Sequence, residues 1–212
     1  PAVEVQSHWL IQKLLSKFVR HRAMSQGMDA LPDSPSVRPE LVALGQALAF
    51  DKELSGNRDI SCMTCHHPDL GTDDDLSLSI GVGGVGLGAD RTHPHDVFIP
   101  RNAPPLFNLH DLDTMFWDGR VNVHGTTFPM DTPANDELPQ EVVDIFEFGA
   151  VSAQAMFPVT SRAEMRGALG DNELANVRDD DLSGQWAAIM ARLGAIPEYV
   201  QMFEAAYPGT AF

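Results

Sequence analysis

The chain contains two cysteines, Cys62 and Cys65, and a histidine follows the second, so Cys62-Met63-Thr64-Cys65-His66 reads C-x-x-C-H. Two cysteines this close together rule out a disulfide-stapled scaffold. The spacing suits one porphyrin: sulfurs at i and i+3 reach its two vinyl groups, and the adjoining imidazole turns towards the iron from the proximal side. A dithiol redox pair would ask for a βαβ context that the flanking residues lack, and a structural zinc for further Cys or His at paired spacings. The reading is therefore one covalently bound haem c. Such attachment is made on the oxidising side of the bacterial inner membrane, which implies an exported, periplasmic setting. A start at Pro1 with no charged-then-apolar leader is what a mature or trimmed product would show.

Around that motif, 212 residues are enough for one domain with a full core plus an extension, at roughly 150 residues per domain. Thirty acidic side chains against fourteen basic ones leave a formal charge of −16, which excludes nucleic acid as a partner of the general surface. The acidic balance permits basic redox partners without naming one. With 43 % hydrophobic and 21 % charged residues the composition is globular, and the apolar runs are too short to span a bilayer, so no transmembrane segment is expected.

Between Ser7 and Met24, Leu10, Ile11, Leu14, Leu15, Phe18 and Val19 share one helical stripe, with Lys13, Lys17, Arg20 and Arg22 around it. A basic helix face can meet a membrane surface or an acidic partner, but packing of the stripe against the domain is the commoner use and is expected here. Three prolines within residues 29–39 mark a linker. The chain therefore divides into an N-terminal helix and linker, residues 1–35, and a haem domain, residues 36–212. Further helices are expected over residues 39–50, 139–156 and 185–207, with breaks at Pro197 and Pro208. Residues 71–105 form a Gly-, Asp- and Pro-rich stretch long enough to be functional. The expected fold is all-α: a cytochrome c-like helical haem domain with long functional loops.

Residues Gly81 to Gly86 satisfy G-x-G-x-x-G, but a dinucleotide fingerprint opens a helix whose N-terminus receives the pyrophosphate. The following LGADRTHPHDVFIPRNAPP cannot be that helix, so a nucleotide site is rejected. The runs Asp73-Asp74-Asp75 and Asp179-Asp180-Asp181 fit no complete calcium loop and read as solvated carboxylates. His8, His21, His67, His93, His95, His110 and His124 read mostly as surface or supporting histidines.

The segment LGQALAFDKELSGNRDISCMTCHHPDLGTDDDLSLSIG is followed by PRNAPPLFNL and then MFWDGR. In content and order these blocks, roughly residues 40–120, resemble the bacterial di-haem cytochrome c peroxidase and MauG family, in its N-terminal half around the peroxide-reactive haem. A further block, Gln154 to Met165, is similar to the family's distal pocket, with Gln154, Pro158 and Glu164 at its Gln, Pro and Glu positions. It stands farther from MFWDGR than is usual, because residues 122–149 contain an insertion on this reading. By spacing alone, Gln154 and Glu164 equally suit an exposed helix end.

The resemblance implies a haem peroxidase that reacts with hydrogen peroxide. Bound peroxide must lose a proton from its inner oxygen and regain one on the outer oxygen before water leaves, and a carboxylate in a dry pocket can carry that proton. Glu164 is implied as the shuttle, Gln154 as the group that orients peroxide, and Pro158 as a wall that offers no ligand. Trp117 matches the tryptophan between the two haems, where it mediates electron transfer; by itself it reads equally as a buried core aromatic. Asn102 matches a contributor to an interdomain calcium site, so calcium is implied as a second cofactor whose other ligands come from the second half. Arg101 and Arg120 read either as haem-propionate partners or as surface charges.

Two departures from the family stand out. Members that need reductive activation have a His that closes the iron's sixth site at rest, and here that position is Val82. Valine cannot bind iron, so a five-coordinate or water-bound iron is expected, as in the MauG-like branch, unless His93 or His95 on the same loop supplies the ligand. Family members also carry a second C-x-x-C-H, which this chain lacks. A second haem-bearing chain or domain is therefore an expected partner, beside a small redox protein or a protein substrate. The alternatives are a mono-haem electron-transfer cytochrome with a Met or His sixth ligand, for which Met115, Met130 and Met156 are available, and a haem-binding subunit of a larger complex.

Overall fold

The computed structural model describes residues 2–122 and 147–210, and the side chains of residues 11–121 and 147–210. His124, Met130 and the first part of the helix expected from residue 139 lie outside the described residues. The chain divides into two compact units, residues 1–34 and 35–212.

The first unit is one helix, α1 (Ala2–Met24), followed by proline-rich chain. Gly27 ends the turn after it with φ at +79°, a left-handed conformation that costs glycine little. Within this unit the apolar stripe has nothing to pack on: Ile11, Leu14, Leu15, Phe18 and Val19 each present more than half of their surface.

The second unit is built on three longer helices. Helix α2 (Pro39–Phe50) starts with Pro39, whose fixed φ suits the first helical position, and Glu40 lies in its first turn beside the positive end of the helix dipole. Its Leu41, Leu44, Ala47 and Leu48 repeat at helical spacing and pack into the main apolar cluster. Helix α5 (Leu182–Gly194) is capped by Asp181, whose carboxylate accepts from the Gly184 N–H at 2.7 Å. A side chain at position 184 would stand 2.3 Å from that carboxylate. Helix α6 (Pro197–Ala206) again opens on proline and packs across α2, and Tyr199 donates its hydroxyl proton to Asp51 at 2.7 Å where α2 ends. The expected helix over 185–207 is thus two helices, broken at the proline.

Between α2 and α5 the chain forms short elements: the single turn α3 (Cys62–Cys65), the two-residue hairpin β1 (Thr114–Met115) and β2 (Val121–Asn122), α4 (Ala150–Gln154), and a π-helical turn over Arg162–Arg166. The main core joins Leu44, Leu54, Ile60, Val82, Val159, Met165, Ile189 and Leu193, with both cysteines packed against it. A second cluster of Val121, Ala150 and Ala153 holds the hairpin on α4. The second acidic run has structural employment. Asp179 pairs with Arg162 and Arg166, Asp180 with Arg178, and Asp181 caps α5.

Candidate haem site

The C-x-x-C-H motif begins where the chain leaves an extended residue, Ser61, whose N–H donates to the Thr64 hydroxyl at 3.0 Å and so starts the turn of α3. One turn places Cys62 and Cys65 on the same side, and both thiols are free and half-buried against the core. His66 closes the turn, its N–H bonded to the Cys62 carbonyl at 3.0 Å. Its ring Nδ1 lies 3.1 Å from the Thr72 carbonyl oxygen. A carbonyl can only accept, so Nδ1 carries the proton and the Nε2 lone pair is left for a metal, the arrangement that orients a ligating histidine.

Burial pushes the Cys62 thiol up and takes Cys65 to about 11, where Asp74 and Glu164 add to the rise and Arg91 opposes it. Thiols held in this way are poor redox nucleophiles at neutral pH, which argues against a dithiol couple. They are suitably placed for thioether bonds to one porphyrin. With His66 Nε2 free beside them, the residues present fit a c-type haem. Asp74, Arg91 and Glu164 all act electrostatically on the Cys65 sulfur.

Glu164 sits in the π-helical turn. Burial raises its carboxyl above the usual carboxylate range, opposed by a hydrogen bond with Ser161 and by the Arg120 charge. Its carbonyl accepts from the Val82 N–H at 2.8 Å, which ties the turn to the glycine-rich loop. The approach is so close that a side chain at Gly81 would stand 1.9 Å from the Ala163 carbonyl oxygen. Val82 is buried in the main core beside Met165. Gln154 ends α4, half-buried, and its carbonyl accepts from Phe157; Pro158 follows, also half-buried, leading into the turn of Glu164.

His93 lies on the same long loop as Val82, its ring against Gly83. Its Nδ1 accepts from the His95 N–H at 3.1 Å and the Val97 N–H at 3.4 Å. The neutral ring therefore carries its proton on Nε2, opposite to His66, and neither nitrogen offers a lone pair to a metal. His95 is exposed and packs edge-on against His93, with the ring centres 5.9 Å apart.

The MFWDGR segment is the tip of the β1–β2 hairpin. Trp117 is 83 % exposed, which excludes the core-aromatic reading, and the Arg101 guanidinium lies 4.9 Å above its ring. Arg120 stacks 3.7 Å over Phe116 and pairs with Asp118 at 2.9 Å. Asn102 is exposed, and its amide nitrogen donates to the Leu76 carbonyl at 2.7 Å and to Asp73 at 3.3 Å. Among the described residues no cluster of three or more His, Cys, Asp or Glu is arranged to hold a metal ion. Nor is any described helix long and apolar enough to cross a membrane. Sequence reasoning gave no role to Thr72, Asp59, Ser161 or Arg91: the first three fall inside the family blocks without being singled out, and Arg91 lies outside them. Asp59 accepts from the Gly83 N–H at 2.7 Å and so holds the glycine loop from the side of the motif.

A helical domain whose α2 and α6 cross beside a C-x-x-C-H turn, with the motif histidine directed by a backbone carbonyl, is a c-type cytochrome in architecture. The comparison with known proteins sharpens this: the chain belongs to the di-haem cytochrome c peroxidase family, whose model matches residues 39–212. Membership implies c-type haem binding, and the curated relatives are named as peroxidases or MauG, oxidoreductases of the haem peroxidase type. The methylamine utilization protein MauG of Methylorubrum extorquens is 30 % identical over 176 residues, covering 83 % of this chain and 34 % of that protein. The cytochrome c551 peroxidase of Pseudomonas aeruginosa is 27 % identical over 165 residues, 78 % of this chain and 32 % of that protein. Among solved structures, a MauG-like protein associated with microbial copper homeostasis aligns with a TM-score of 0.51 and 24 % identity, covering 86 % of this chain and 39 % of that one, a likeness of fold. The chain thus spans about a third of the length of these curated relatives.

Proposed function

We propose that this chain is the peroxide-reactive haem unit of a cytochrome c peroxidase or MauG-like oxidoreductase. The observation that carries the reading is the 2.8 Å bond from Val82 to the Glu164 carbonyl: it joins a loop with no ligand at the position of the family's histidine to a carboxyl raised by burial. Cys62, Cys65 and His66 would hold a haem, which would supply the redox chemistry of peroxide reduction when bound. His66 keeps the Nε2 lone pair available for that iron through its bond to Thr72. Glu164 takes the proton from the inner peroxide oxygen and returns it to the outer one. Gln154 holds peroxide by hydrogen bonding, and Pro158 walls the space without competing as a ligand.

Reduction of peroxide to two waters takes up two electrons and two protons. The electrons come from a small redox protein or from a protein side chain that is oxidised as it gives them up, and exposed Trp117, stacked with Arg101, is their route to the surface and to a second haem-bearing chain or domain. Asn102, through its free carbonyl oxygen, is assigned one ligand position of a calcium completed by that second half. The haem-attachment motif supports a periplasmic setting, and we read residues 36–212 as the haem domain.

The test is the Glu164→Gln variant of the haem-loaded chain mixed rapidly with hydrogen peroxide. Loss of the shuttle is expected to slow the reaction by about 10²- to 10⁴-fold with haem still attached. Unchanged kinetics would remove Glu164 from the mechanism.

A further inference from the structure

The G-x-G-x-x-G loop is unused by any nucleotide, and its glycines have another occupant. Arg91 is 4 % exposed, and its guanidinium donates to three carbonyls of that loop: Nε to Ile80 at 2.8 Å, Nη2 to Gly81 at 2.7 Å, and Nη1 to Gly86 at 2.9 Å. A side chain at Gly84 would stand 2.8 Å from the guanidinium carbon, so the loop is glycine-rich where it wraps this cation. Other polar groups of the loop are also used. Val82 N–H goes to Glu164, Gly83 N–H to Asp59, and Val85 pairs with Thr92 in both directions.

The Ile80 carbonyl that takes Arg91 Nε also lies 3.8 Å from the Cys65 sulfur. The cation is therefore one carbonyl away from an attachment point of the haem. The other buried arginine that pins loop carbonyls near the motif, Arg192, differs in having a carboxylate partner. It binds the carbonyls of Glu53, Ser55 and Gly56 and pairs with Glu173. Arg91 has no hydrogen-bonded carboxylate among the described residues, and Asp59 and Asp74 act on it only through space. A guanidinium in such a place keeps its charge and cannot be screened by water.

We propose that Arg91 is a positioning residue of the haem site: it holds the Val82 loop by three carbonyls and acts as a fixed cation that raises the reduction potential of the haem attached at Cys65. One-electron reduction of ferric to ferrous haem lowers the positive charge of the centre by one, so a nearby cation favours the reduced state and its removal disfavours it. The inference rests on the haem-binding part of the reading above and not on the peroxide chemistry.

The experiment is a spectroelectrochemical titration of the haem-loaded full chain and its Arg91→Lys and Arg91→Gln variants, with haem content and far-ultraviolet circular dichroism recorded for each. Both substitutions lose the bidentate fork, but only lysine keeps the charge. A midpoint potential that falls for Arg91→Gln well below that of Arg91→Lys supports the proposal, and equal potentials overturn it. If neither variant loads haem, Gly84→Ala decides: the added methyl displaces the guanidinium and is expected to lower the potential, whereas an unchanged value overturns the proposal. Asp74→Asn removes the buried anion on the same sulfur and is expected to shift the potential upwards; a downward shift or none would overturn the electrostatic account. A wild-type chain that binds haem but ignores peroxide would sink the proposed function and leave these potentials measurable.

Discussion

The C-x-x-C-H turn and the long loop of Val82 each carry a histidine, and His66 and His93 are wired in opposite senses. His66 gives its Nδ1 proton to the Thr72 carbonyl and keeps a lone pair on Nε2. His93 takes two backbone N–H groups on Nδ1 and so keeps its proton on Nε2. Same side chain, opposite tautomer: one imidazole keeps a lone pair available to a metal and the other does not. The backbone around each imidazole decides this, because a carbonyl selects the donor tautomer and an amide the acceptor tautomer.

The largest expected effect comes from breaking the ligand-supplying side. His66→Gly leaves haem covalently attached through the cysteines but without its protein ligand, and peroxide reactivity is expected to vanish and to return on addition of imidazole. Retained reactivity without imidazole would show that another residue ligates the iron. Next comes the withholding side made to supply a ligand: Val82→His is expected to convert the ferric centre from high to low spin and to slow the peroxide reaction strongly. An unmoved spectrum would show that the Val82 loop does not face the iron.

Glu164 gives the third effect, in its pH dependence. A base works ionised, so the peroxide rate is expected to rise with pH through the raised carboxyl value, and Glu164→Gln is expected to flatten that limb. Stability runs the other way. The folded state binds this proton more tightly than the unfolded chain does, so stability falls as pH rises from the ordinary carboxylate value to the raised one, and the Gln variant loses that slope.

His93→Leu is the small-effect counterpart of His66→Gly, with no expected change in the ferric spectrum; a change in spin state would contradict its assigned tautomer. The smallest effect lies away from both loops. Arg192 holds Glu173 at about 2, far below its ordinary value, so this pair stabilises the fold above the unfolded carboxylate value and its contribution is lost as pH falls towards 2. Glu173 is half exposed, so Glu173→Gln is expected to shift the acid-unfolding midpoint only slightly.

The sequence made α2 legible to the residue, because a proline at its start and leucines at helical spacing are local signals. The haem motif was legible for a stronger reason: covalent chemistry fixes the positions of both thiols and the imidazole. Gln154, Pro158 and Glu164 were visible only through family resemblance, since nothing local distinguishes them from a helix end. Arg91 was invisible, because a buried arginine answering to carbonyls five to eleven residues earlier leaves no pattern. Trp117 was legible only as two alternatives, a core aromatic or an electron-transfer residue, and its place on a hairpin tip, 83 % exposed, removes the first.

The most direct test of the central contrast is the low-temperature electron paramagnetic resonance spectrum of the haem-loaded ferric chain. With His66 as the one protein ligand and no ligand offered at Val82, the account predicts a high-spin signal. A purely low-spin spectrum would place a second protein ligand on the iron and contradict it.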